Sequence, residues 1–156
     1  MDKTNAIRQF DRKKLPYTVH SYEGVISGAE VAAYLQQDPE TVYKTLVTTG
    51  KSGGHYVFMI PVCGELDLKK AAAAVGEKSI AMLPQKDLLP LTGYIHGGCS
   101  PVGMKKPFPT AIHAAAAEQE QIFFSAGRIG LQICAAPSDL EKLLRLQYAD
   151  LLTKKT

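Results

Sequence analysis

The sequence predicts a mixed α/β (α+β) domain, in which helices at both ends flank a curved sheet of six or seven short strands. Three observations predict it. Two apolar, β-branched runs, Thr45 to Thr49 and Tyr56 to Val62, are joined by Gly50-Lys51-Ser52-Gly53-Gly54, whose glycines suit a hairpin turn. Strands joined by a hairpin are antiparallel, which argues against a purely doubly wound sheet. A length of 156 residues is one domain, residues 1–156, able to bury most of its apolar surface in one core.

Each element follows from local signals. Thr4 is placed to cap a first helix that Pro16 ends, because a residue before proline is pushed out of helical geometry. Leu15 to Tyr22 alternates as a strand does. Ser27 to Gln36 carries a helical pattern with Val31, Tyr34 and Leu35 on one side. Asp38-Pro39-Glu40 opens a short helix ending near Tyr43, with an acceptor at the cap and proline in the first turn. After the hairpin, Asp67 caps a helix over Leu68 to Val75 and Gly76 closes it. Lys78 to Leu83 reads as a strand, and Lys86 to Leu91 as a short helix limited by Pro84 and Pro90. Thr110 to Ala114, Gln121 to Ser125 and Gly130 to Ala135 are further strands. Ser138-Asp139-Leu140-Glu141 has the spacing of a capping box, predicting a C-terminal helix with Leu140, Leu143, Leu144 and Tyr148 on its buried face.

Composition narrows the function classes. Hydrophobic residues make up 46% and charged residues 21%, an ordinary soluble balance. A net charge of +3 is too small for a protein that holds nucleic acid by charge alone, so a polyanionic partner implies a small footprint or a helper. Met1 to Lys13 lacks the apolar core of a signal peptide, and no run reaches the ~18 apolar residues that cross a bilayer. Cys63, Cys99 and Cys134 are odd in number and widely spaced, as reduced thiols of a cytoplasmic protein are. His20, His55, His96 and His113 show no metal-ligand spacing, so neither a metal nor another cofactor is expected.

The most informative segment is Val42-Tyr43-Lys44-Thr45-Leu46, which puts a lysine where a short helix gives way to a strand. Rigid backbone on both sides directs such an ammonium at an anion as a point charge. Two glycine-rich stretches are its apparent companions, Gly97-Gly98-Cys99-Ser100-Pro101-Val102-Gly103 and Ser125-Ala126-Gly127-Arg128-Ile129-Gly130-Leu131. With Gly64-Glu65-Leu66-Asp67-Leu68-Lys69-Lys70, they resemble in content and order the YbaK/EbsC family of free-standing cysteinyl-tRNA(Pro) deacylases. The resemblance runs from about Tyr17 towards the C-terminus. It implies a mostly antiparallel, barrel-like sheet with flanking helices, and a trans-editing hydrolase that clears Cys-tRNA(Pro), with Cys-tRNA(Cys) a further substrate.

Each candidate residue has a plain reading beside the functional one. Lys44 is either a strand-edge lysine or, as the resemblance implies, the group that places the 3′ end of the tRNA. Thr45 either favours a strand or offers a hydroxyl to ribose or carbonyl. Gly98 is either a turn residue or a donor of a backbone N–H to an oxyanion, since no Cβ bars close approach. The resemblance sets Gly98 in the site, with Ser100 and Pro101 fixing its loop, and turns Ser125 towards substrate against the alternative of a turn hydroxyl. Tyr22 is a core ring or a platform for the terminal adenine. Arg128 is solvated or meets a phosphate, while Lys69 and Lys70 read as a wet helix face. Two departures from the family pattern bear on substrate choice. Gln132 stands where several members carry aspartate, and the loop after Tyr22 is shorter.

No Ser-His-Asp or Cys-His-Asn order assembles, and Cys99 reads as a small buried residue before it reads as a nucleophile. A cysteinyl ester carries its own thiol, and the resemblance implies substrate assistance, with that thiol attacking the carbonyl and releasing a cyclic thioester. Prolyl-tRNA synthetase is the partner the family implies. A deacylase for alanyl- or seryl-tRNA, a non-catalytic adaptor that binds tRNA ends or a synthetase, and an esterase using Cys99 remain alternatives.

Overall fold

The computed structural model describes residues 3–25 and 27–154. Helix α1 spans Asn5–Arg12, capped by Thr4, whose hydroxyl oxygen accepts the N–H of Ile7 and donates to the carbonyl of Ala126. One cap thus starts the helix and ties it to a distant loop; such a cap is worth about 1 kcal/mol. Strand β1 is Thr18–Ser21, shorter at both ends than its alternation suggests. Helix α2, Gly28–Tyr34, opens with a full capping box between Ser27 and Glu30. The Asp38-Pro39-Glu40 start yields only a 3₁₀ turn, Pro39–Thr41.

Strands β2 (Tyr43–Gly50) and β3 (His55–Pro61) form the expected hairpin, pairing from Tyr43↔Pro61 to Thr49↔His55. Helix α3 (Leu68–Val75) has Asp67 at its start and Gly76 at its end, as the sequence requires. Strand β4 is Ile80–Met82 and helix α4 is Gln85–Thr92. Pro90 lies inside α4 and does not limit it; the helix closes at Gly93. Strands β5 (Thr110–His113), β6 (Ile122–Ser125) and β7 (Leu131–Ala135) fall where expected.

The C-terminal helix is the clear correction. Helix α5 covers only Pro137–Leu140, Pro137 starts it, and Ser138 makes no cap bond. The chain then forms strand β8, Leu146–Ala149, which pairs in parallel with β5 from Thr110↔Leu146 to His113↔Ala149. The open edge of β5 offered a full ladder, which outweighed a local helical pattern.

The eight strands form two sheets, ordered β1-β7-β6 and β4-β2-β3-β5-β8. Neither order closes on itself. Four pairings are antiparallel, while β3–β5 and β5–β8 are parallel. The main core lies between the sheets, where Ile7 and Phe10 of α1 meet Tyr43, Met59, Ile112, Phe124 and Ile133. A second cluster, including Phe58, Ile60, Ala71 and Leu151, packs under α3.

One junction decides where the site lies. The sheets touch through a parallel bridge between Val42 and Phe123, and the pairing stops there. Beyond it β2 and β6 run on without a ladder between them, and Lys44 and Ser125 stand in the walls of a wedge there.

Candidate functional site

The wedge opens into a cleft of about 560 Å³. Tyr22, Lys44, Thr45 and Ser125, four of the sequence-derived candidates, line it, as does Gln132. Strand register explains their meeting. Two residues past the Val42–Phe123 bridge come Lys44 on β2 and Ser125 on β6, and Ser125 pairs with Gln132 on β7. Tyr22 follows β1, which pairs with β7, and its N–H donates to the carbonyl of Gly130 at 3.0 Å.

Lys44 is half-buried and has no ion-pair partner among the described residues. Two oxygens in the cleft wall, Thr45 Oγ1 and Gln132 Oε1, are buried without a hydrogen-bond partner. Leaving a buried polar atom unpaired costs about 1–3 kcal/mol, so two of them beside an unpaired ammonium mark a place built for a ligand. Ser125 Oγ accepts the N–H of Gly127 at 3.1 Å, which fixes the hydroxyl at the cleft wall and leaves its proton to donate.

The two glycine stretches do meet, at Gly98 against Arg128 and Ile129, but Gly98, Ser100 and Arg128 do not line the cleft, whereas Gly97 and Cys99 do. Gly98 is buried, and its N–H donates to the carbonyl of Ile95 at 3.0 Å, so that amide is already engaged. The missing side chain serves packing: a Cβ there would lie 2.9 Å from Ile129 N and 3.1 Å from Arg128 C. Ser100 is fully buried and accepts the N–H of Val102 at 3.3 Å, bracing the loop. Arg128 is exposed, with its backbone against Gly98. Tyr94 locks both loops, donating to the carbonyl of Val102 at 2.6 Å and lying under Gly127, whose φ of +101° and absent Cβ allow the contact.

Several lining residues were not singled out from the sequence: Ser27 and Gly28 at the start of α2, Gln85 at the start of α4, and His96 beside the glycine loop. The adjacency of His96 to Gly97-Gly98 was the one available signal. The Gly64–Lys70 stretch lies away from the cleft. Asp67 N–H donates to the Leu151 carbonyl, and Lys70 Nζ donates to Asp150 at 2.8 Å and to the Leu152 carbonyl at 2.7 Å. Lys70 is therefore a clamp on the C-terminal segment, not a wet helix face.

A model of the aminoacyl-tRNA editing domain matches residues 23–151. The chain belongs to the aminoacyl-tRNA editing domain family. A relative in Enterococcus faecalis, provisionally named Cys-tRNA(Pro)/Cys-tRNA(Cys) deacylase EbsC, is 44% identical over 156 residues, covering 98% of this chain and 95% of the relative. The resemblance to the YbaK/EbsC family is thereby borne out, and the expected class, an aminoacyl-tRNA deacylase, holds at the level of the family. Among solved structures, one described provisionally as a trans-editing enzyme for prolyl tRNA synthetase superposes with a TM-score of 0.84 at 24% identity, covering 99% of this chain and 100% of that one. The hypothetical protein APE2540 gives 0.86 at 19% identity, with 96% and 100% covered. These two likenesses establish the editing-domain fold, with its five helices and two sheets.

As an editing domain, the chain is sparing in reactive groups. Cys99 lines the cleft, but burial pushes its thiol up to about 12, so at neutral pH it is protonated and a poor nucleophile. No group of three or more His, Cys, Asp or Glu able to hold a metal ion is found among the described residues, nor any helix long and apolar enough to cross a membrane.

Proposed function

We propose that the protein is a trans-editing deacylase that releases cysteine mischarged onto tRNA(Pro), and also cysteine from Cys-tRNA(Cys). The observation that carries this reading is the unpaired Lys44 ammonium beside two orphaned oxygens, in a cleft whose one thiol is held protonated. Lys44 holds a phosphate of the 3′-terminal nucleotide, Tyr22 offers its ring to the terminal adenine, and Thr45 and Ser125 meet the aminoacyl end. Gly98, Ser100 and Arg128 fix the loops around it.

The nucleophile comes with the substrate. A free thiol titrates near ~8.5, so a useful fraction of a bound cysteinyl ester is thiolate at neutral pH. The thiolate attacks the ester carbonyl carbon and a C–S bond forms. The carbonyl reforms as the C–O bond to the ribose breaks, and the leaving ribose oxygen takes a proton from solvent. The products are tRNA and a cyclic cysteine thioester, which water then opens. Holding thiolate and carbonyl in reacting geometry removes about 7–11 kcal/mol of barrier, which is the protein's share of the work.

A cleft this size suits a cysteinyl-adenosine end with prolyl-tRNA synthetase supplying recognition of the tRNA body. That division fits a net charge of only +3. The neutral Gln132 favours a second reading, a deacylase for alanyl- or seryl-tRNA. Lys44→Ala tests the common element. The variant should fold normally and lose about 10- to 150-fold in kcat/KM, the worth of a charge-assisted hydrogen bond of about 1.5–3 kcal/mol. Wild-type kcat/KM would refute a role for Lys44 in turnover.

A further inference from the structure

With the Gly98 amide engaged, the deacylase reading lacks a donor for the carbonyl oxygen, and the strand edge beside Lys44 supplies one. In β2, Val62 N–H donates to the Val42 carbonyl and Gly50 N–H to the Gly54 carbonyl, so the even-numbered residues bond to β3. Odd-numbered residues then point their N–H and C=O to the opposite edge. The bonds there agree: Leu83 N–H donates to the Val47 carbonyl and Lys51 N–H to the Ser79 carbonyl. That outer edge is covered at one end by β4, which pairs from Thr48 to Gly50, and at the other by the Val42–Phe123 bridge. Pro84 turns the chain away into α4 before it reaches Thr45. Among the described residues no strand ladder covers Thr45 on this edge: β4 pairs only from Thr48, and the bridge to β6 lies at Val42.

We propose that Thr45 binds the aminoacyl ester as a one-residue extension of the sheet, its backbone N–H donating to the ester carbonyl oxygen and its C=O accepting from the substrate's α-ammonium. This rests on the deacylase reading above. An α-amino ester carries a donor and an acceptor on either side of one carbon, as a strand residue does, so it complements the paired N–H and C=O of an edge residue. The same residue carries the orphaned Oγ1 and follows Lys44 directly, so one dipeptide grips both nucleotide and amino acid. As the thiolate attacks, charge moves onto the carbonyl oxygen, and a sheet-fixed N–H meets it without reorganising.

The direct test replaces the Lys44–Thr45 peptide bond by an ester, which exchanges this N–H for oxygen and keeps every side chain. Thr45→Pro is a second route to the same loss, tolerated where a strand edge is uncovered. The expected result with cysteinyl-tRNA is a kcat about 10²- to 10³-fold below wild type, the usual cost of one oxyanion donor, with KM within threefold and thermal stability unchanged. A folded variant of either kind with wild-type kcat overturns the proposal and moves the donor to the Gly97–Cys99 loop. The C=O half is read on 3-mercaptopropionyl-tRNA, which lacks only the ammonium: its kcat/KM should fall at least tenfold, and equality with cysteinyl-tRNA overturns that half. A wild-type chain that deacylates no aminoacyl-tRNA would instead overturn the functional reading itself.

Discussion

Lys44 and Gly98 illustrate what a motif reveals about a residue and what it hides. Both belong to segments the sequence marks as special, yet one side chain enters the cleft and the other residue is needed because it has none. A glycine signals that a Cβ is excluded; whether ligand or backbone excludes it depends on the fold. Here backbone does, and backbone cannot yield as a flexible side chain would. Gly98→Ala should therefore cost about 1–3 kcal/mol of stability in denaturant titration, the range for overpacking. A stability equal to wild type would show that the loops separate easily. Cys99 invites the opposite misreading, as a reactive thiol in a glycine loop. Its burial argues otherwise, and Cys99→Ser should turn over cysteinyl-tRNA at nearly the wild-type rate. In thiol alkylation at neutral pH, exposed Cys63 should react first, with Cys99 and Cys134 slow until the protein unfolds.

Among the elements, the β2–β3 hairpin was legible because its signals were local: β-branched runs and a glycine turn. Its stabilisation was not, because the partner lies 25 residues on. The Glu77 carboxylate accepts the N–H and hydroxyl of Ser52 and the hydroxyl of Tyr56, at 3.1, 2.5 and 2.6 Å. These bonds, Ser52 first, hold the carboxyl below its ordinary value of 4.5. A carboxyl lowered on folding contributes stability that is present above its unfolded value and lost as pH falls through the folded one. Glu77→Gln should accordingly be less stable than wild type at pH 7, with the gap closing on acidification below about 4.5; a gap independent of pH would contradict the assignment. The C-terminal segment failed for the complementary reason. Ser138 to Glu141 fits a capping box, but the pairing of Leu146–Ala149 with β5 is a long-range ladder that no local pattern encodes. Lys70 and the Leu66↔Leu152 bridge, which fasten that segment, were likewise invisible until the chain folded.

At the scale of the molecule, the cleft lies where two sheets meet at the Val42–Phe123 bridge and form no ladder beyond it. The sequence indicated a mixed sheet and named four residues that meet in the cleft, but a single curved sheet would not have placed the opening beside Lys44. The architecture also bears on specificity. Pocket size alone separates cysteine from alanine by about 1–3 kcal/mol, or roughly 10- to 200-fold, because the difference is one small side chain. Substrate assistance removes that ceiling, since alanine has no nucleophile and serine a far weaker one. The most direct measurement is therefore the deacylation of cysteinyl-, seryl- and alanyl-tRNA(Pro) side by side, with the wild-type chain at neutral pH. Cysteinyl-tRNA should be cleared rapidly while the other two survive at close to their spontaneous rates. Clearance of alanyl-tRNA as fast as cysteinyl-tRNA would contradict a reaction driven by the substrate's own sulfur.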